Sequence, residues 1–80
     1  MTTITFIVRQ SNGSREFSDV DSVNVPTSQG FIQILPGHAP LIAETAPGTC
    51  VISSRNESQS LPLSSAGLMR VKENKIILVL

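Results

Sequence analysis

Hydrophobic and polar residues alternate at the start of the chain. In "TITFIVR" (3–9), Ile4, Phe6 and Val8 fall on one side and Thr3, Thr5, Ile7 and Arg9 on the other. A period of two is that of a half-buried β-strand. Ser11-Asn12-Gly13-Ser14 then supplies a turn, since Asn and Gly tolerate positive φ. "EFSDVDSVNVP" continues as strand, with Val23 and Val25 on one face and Pro26 marking an end or an edge. "GFIQIL" places Ile32 and Ile34 together and Phe31, Gln33 and Leu35 opposite; Leu35 beside Ile34 predicts cover on both sides at the strand end. "LIAET" and "TCVISS" follow, separated by the turn Ala46-Pro47-Gly48. "RNES" reads as a loop. "SLPLSSAGLMRV" carries a glycine, Gly67, that marks a bulge or a close backbone approach. "KENK" reads as a four-residue hairpin turn before "IILVL".

No segment keeps apolar residues at i, i+3 and i+4 over ten positions, so no helix is predicted. Short strands joined by tight turns predict an all-β sandwich or small barrel. Composition agrees: Val, Ile and Thr supply 21 of 80 residues, and they suit a pleated, half-buried surface. Eighty residues make one domain, over 1–80, with a thin stability margin.

Charge and chemistry narrow the function. Six bases cancel six acids, and no basic patch or Trp/Tyr platform suggests nucleic acid. Cys50 has no partner for a disulfide, which fits a reducing compartment; within "TCVIS" it reads as a small buried hydrophobe. The longest apolar run, Ile76 to Leu80, is far short of the ~20 residues of a membrane helix. Membrane association is therefore expected only through a partner.

The lone histidine, His38, sits in "PGHAP" and invites a catalytic reading. Yet no serine stands on a strand-turn-helix elbow, and no helix start offers an oxyanion site. One His and one Cys do not make a metal cluster. Asp19 and Asp21, two apart on a strand, share a solvated face. No glycine opens a helix as a phosphate loop. Catalytic, cofactor and metal residues are thus expected to be none. The residues alone read as a contact module; a small hydrolase using His38 with a serine is the weakest alternative.

"GFIQILPGHAPLIAETAPG" resembles a segment of the epsilon subunit of F-type ATP synthases (delta in mitochondria), with its PGHAP-like turn, short apolar strand and Pro-Gly turn. "LPLSSAGLMRVKENKIILVL" is similar to the end of the same domain, and Phe17-Ser18 fits its first strands. The resemblance covers nearly all 80 residues. It implies a β-sandwich of about ten short strands in two sheets. It also implies a non-catalytic subunit of the rotating central stalk, bound to gamma and resting on the loops of the c-ring. That subunit couples proton- or sodium-driven rotation to ATP synthesis. Its expected place is the cytoplasmic face of the bacterial plasma membrane, or a thylakoid membrane. The alternative is a free-standing binding module for a protein or small ligand.

Two departures shape the expected sites. The sequence stops at Leu80, so the family's C-terminal helical hairpin, a brake on ATP hydrolysis that binds ATP in some members, is absent from these residues; no nucleotide is expected on this domain. The position after Gly30, often acidic in the family, is Phe31, which favours an apolar contact or a buried Phe over an ion pair. By resemblance, Gly30, Phe31 and His38 are expected at the ring-facing edge, and Ser11 and Ile42 near gamma. Competing readings accompany these: Gly30 as a simple turn residue, His38 held by its own turn, and Ile42 in the core.

Overall fold

The computed structural model describes residues 2–55 and 57–80. Nine strands form from the period-two segments, against the ten or so expected: β1 (Ile4–Gln10), β2 (Gly13–Val20), β3 (Ser22–Thr27), β4 (Gly30–Ile34), β5 (Leu41–Thr45), β6 (Gly48–Ser54), β7 (Glu57–Leu63), β8 (Gly67–Lys72) and β9 (Lys75–Val79). No helix occurs among the described residues. The hydrogen-bonded order is β2-β1-β9-β8-β5-β3-β6-β7, with β4 also on β3. The first and last strands, β1 and β9, pair in parallel, from Thr5↔Lys75 to Arg9↔Val79.

The middle link of this path is thin. β3 meets β5 only at Thr27↔Thr45, supported by Ser28 N–H donating to Glu44 O (3.2 Å) and Ala46 N–H to Pro26 O (3.0 Å). This corner divides the strands into a five-stranded layer, β2-β1-β9-β8-β5, and a four-stranded layer, β4-β3-β6-β7. Pro26, which cannot donate to a ladder, is tolerated where β3 leaves β6 for β5. Thr45 is buried at the corner, and its Oγ1 is the buried side-chain oxygen without a partner among the described residues.

Between the layers lie the inward residues the alternation predicts: Ile4, Phe6 and Val8, Val23 and Val25, Met69 and Val71, Ile76 and Leu78. The rings of Phe6 and Phe17 stack, with centroids 5.9 Å apart, and the Arg15 guanidinium lies 5.1 Å from the Phe17 centroid. Cys50 is fully buried, as its apolar run suggests. A Cβ at Gly67 would come 2.3 Å from the carbonyl oxygen of Val79, so this is the close backbone approach that position marks.

Four local expectations are corrected. "EFSDVDSVNVP" is not one strand: the chain passes from one layer to the other, with Asp19 at φ +55°. Asp19 and Asp21 therefore do not share a strand face; the Asp21 carboxylate accepts the Arg55 N–H (2.8 Å), and Asp19 O accepts the Ser54 hydroxyl (2.7 Å). Leu35 is 50% exposed, because the chain leaves the sheet after Ile34. "KENK" is tighter than four residues: Lys72 and Lys75 pair, and only Glu73 and Asn74 turn, both at positive φ. That is the two-residue turn whose twist suits a hairpin. Of the "RNES" loop, Asn56 lies outside the described residues.

Candidate functional site

The "PGHAP" corner is built by local bonds and one distant one. His38 N–H donates to Leu35 O (3.1 Å), closing the turn after β4. Gly37 N–H donates to Asn74 Oδ1 (2.7 Å), which fastens the corner to the β8–β9 turn. His38 Nδ1 lies 2.7 Å from Ala39 O. A carbonyl only accepts, so this contact assigns a proton to Nδ1. The imidazole is thus held by its own turn, and the residue is exposed.

Gly30 starts β4 at φ +115°, a backbone conformation that favours glycine. Thr27 braces this turn: its hydroxyl donates to Gly30 O and accepts from Gln29 N–H. Phe31 follows on the outer side of β4 and is 66% exposed, so it is not a core residue.

These three expected ring-facing residues do not form one cluster. β4 rises about 3.4 Å per residue, so Gly30 and Ile34 stand roughly 14 Å apart, and His38 lies beyond Ile34. Cross-links confirm the two ends. The Gly30 turn joins Thr45, which pairs with Gly67 at the start of β8, whereas the His38 corner joins Asn74, just past the end of β8.

Ser11 sits in the β1–β2 turn and is exposed. Ile42 lies on the outer side of β5, opposite Arg70, and is 68% exposed. The competing reading that places it in the core is therefore corrected. It borders a cleft of about 450 Å³ between β5 and the Ser28-Gln29 turn, which Leu68 also lines.

The sequence reading missed the extent of this face. Leu68 and Val79 oppose each other across β8 and β9, and both are about half exposed. Ile77 and Ile7 pair on the neighbouring strands and are half-buried. The unbroken run "IILVL" hid Ile77 and Val79, since it lacks polar residues to mark the outer side; Ile7 already reads as facing away from Ile4, Phe6 and Val8. The usable signal was period: positions alternating with Met69, Ile76 and Leu78 must face away from the core.

Burial pushes the Cys50 thiol up from 9.0 to about 11. It stays protonated near neutrality and offers no thiolate. What this surface presents is contact area: an outer sheet face with exposed apolar side chains, and braced turns at both ends.

Such a face on a small two-layer sandwich defines a β-sandwich module with surface to cover. Comparison with known proteins specifies it. The family described as "ATP synthase, Delta/Epsilon chain, beta-sandwich domain" matches residues 3–80, and the chain belongs to that family. It is 38% identical over 58 residues to the ATP synthase epsilon chain of Leptospira borgpetersenii, covering 72% of this chain and 45% of that protein. It is 34% identical over 61 residues to the epsilon chain of Chlorobaculum tepidum, covering 76% and 69%. A chain in the Euglena gracilis mitochondrial ATP synthase structure of OSCP, F1 and c-ring superposes with a TM-score of 0.88 at 16% identity, over 99% of this chain and 51% of that one. That likeness is one of fold. The chain spans about half the length of the Leptospira relatives it matches, 45% of each.

Proposed function

We propose that this chain is a non-catalytic part of the rotor stalk of an F-type ATP synthase. It docks on a gamma-type subunit and on the loops of the c-ring, and helps pass ring rotation to the catalytic head. It is peripheral to the membrane through these partners, on the cytoplasmic face in a bacterium. The observation that carries this reading is the family match along residues 3–80, with relatives that are epsilon chains.

The geometry supports a mechanical role. A close-packed interior transmits strain instead of absorbing it. Parallel pairing of β1 with β9 locks the first and last strands into the centre of one layer. The Gly37–Asn74 bond stiffens one end, and the Thr27–Thr45 corner the other. Gly30 and Phe31 at one end, and His38 at the other, remain the candidates for ring contact; Ser11 and Ile42 remain those for gamma.

The test is co-expression with the gamma subunit of the same organism's ATP synthase. A stable complex on gel filtration at micromolar concentration is expected. No association at that concentration overturns the proposal.

A further inference from the structure

Three of the chain's six basic side chains meet at one hairpin. Arg70 and Lys72 lie on β8 and Lys75 on β9; Arg9, Arg15 and Arg55 stand elsewhere. Alternation places the three on one side, since Met69, Val71, Ile76 and Leu78 are buried and Arg70, Lys72 and Lys75 are exposed. Lys72 is directly opposite Lys75. Arg70 follows two residues along β8, roughly 7 Å from Lys72. Long side chains span such distances, so the three cationic ends can converge.

A depression of about 200 Å³ marks where they do. Arg70, Lys72, Glu73, Lys75 and Ile77 line it, and three cations less one carboxylate leave it strongly positive. Cross-strand neighbours do not offset this charge: Arg70 faces Ile42 and Ile77, and Lys75 faces Thr5. The one carboxylate of β5, Glu44, is opposite Leu68, two residues from Arg70. Facing like charges weaken a sheet, so the Lys72–Lys75 pair is a cost in the isolated chain. A bound anion removes that cost.

The depression is held in shape. Glu73 and Asn74 form the tight turn at positive φ, and Asn74 Oδ1 accepts the Gly37 N–H (2.7 Å). The backbone that carries Lys72 and Lys75 is therefore fixed before a ligand arrives, which lowers the cost of binding.

Size and charge select the anion. The volume is below the roughly 300 Å³ at which pockets begin to enclose a drug-sized molecule, so it suits one small group and not a whole nucleotide. A carboxylate brings one charge and two oxygens, too few for three cations. A phosphate group brings about −1.5 to −2 near neutral pH and three strongly accepting oxygens. The Arg70 fork matches two of them, and the lysine ammoniums reach the rest.

We infer that the Arg70-Lys72-Lys75 depression on the β8–β9 hairpin binds a phosphate group, carried by a free phosphate ion or by the headgroup of an acidic lipid. Phosphate binding here is independent of the stalk reading, and either can fail alone.

The experiment has two arms at low salt. In one, the amide NMR signals of the whole chain are followed during titration with sodium phosphate, with sodium chloride of equal ionic strength as control. In the other, the chain is sedimented with phosphatidylglycerol vesicles, with phosphatidylcholine vesicles as control. Saturable shifts centred on residues 70–75, absent with chloride, are expected for a free ion. Sedimentation with the acidic vesicles alone is expected for a headgroup. Lys72→Gln/Lys75→Gln is expected to weaken either binding at least about tenfold, the loss of two charge-assisted contacts. Arg55→Gln is expected to leave it unchanged, and amide dispersion confirms that each variant is folded. Binding in one arm that the double variant loses supports the inference and identifies the source. No binding in either arm, binding that the double variant keeps, or equal shifts with chloride overturns it.

Discussion

Gly37 and Asn74, 37 positions apart, are joined by an N–H to Oδ1 hydrogen bond of 2.7 Å. Asn74 also holds the tight β8–β9 turn at φ +61°. One side chain therefore serves the turn and the "PGHAP" corner. Asn74→Gly removes the bond but keeps the backbone at ease, and is expected to cost about 1 kcal/mol. Asn74→Ala adds the strain of a left-handed residue, about 1–2 kcal/mol more. Urea denaturation of the two variants separates the contributions; equal stability of both would show that backbone strain is not part of Asn74's role.

Gly30 and Gly67, which lie at the same end of the sandwich, are constrained differently. Gly30 has positive φ but nothing within 4 Å of a built Cβ, so Gly30→Ala is expected to cost about 1–3 kcal/mol in backbone strain alone. At Gly67 the new methyl meets a carbonyl oxygen at 2.3 Å, and the β8–β9 backbone must shift. Gly67→Ala is expected to move the amide chemical shifts of β8 and β9 as well as lower the melting temperature. Shift changes in Gly30→Ala are expected to stay near its own turn.

Thr45 buries a hydroxyl that has no partner among the described residues. Thr45→Val replaces it with a methyl of similar volume and is expected to stabilise the chain by about 1 kcal/mol. A destabilised variant in thermal melts would mean that the hydroxyl is satisfied in solution.

Much of the fold was legible because each layer turns one face to water and the other to the dry interior. Ile4, Phe6, Val8, Val23 and Val25 alternate with polar residues and were placed correctly. Gly67 announced a close approach, and Pro36, Gly37 and Pro40 a corner. The pairing of β1 with β9 was not legible, since no local signal reports contact between the first and last strands. The break at Asp19 was not either: "EFSDVDSVNVP" lacks Gly or Pro before Pro26, and Asp adopts positive φ without announcing it. Ile42 read as core as readily as contact because hydrophobicity alone does not tell an interior from an apolar exterior, and Leu68 and Val79 were not singled out. For the same reason the apolar half of the candidate site was harder to see than the "PGHAP" half.

Cys50 makes stability depend on alkaline pH. Its folded pKa, raised by burial from 9.0 to about 11, exceeds the unfolded value. Between these values the native state holds a proton that the unfolded chain has lost, so stability falls as pH rises. The slope approaches 1.4 kcal/mol per pH unit. The contribution is complete below pH 9 and gone above the folded pKa. Cys50→Ala is expected to flatten this part of the pH profile in denaturant titrations from pH 8 to 11, at the expense of some packing. A profile unchanged by the substitution assigns the slope to other groups.

The central claim is that this sandwich rides on the stalk. The direct measurement is cryo-electron microscopy of the F-type ATP synthase purified from the source organism through a tag on this chain. The account predicts one nine-stranded sandwich per complex, seated between gamma and the c-ring loops. A tagged chain that brings down no synthase subunits, or a complete synthase whose stalk lacks this sandwich, contradicts it.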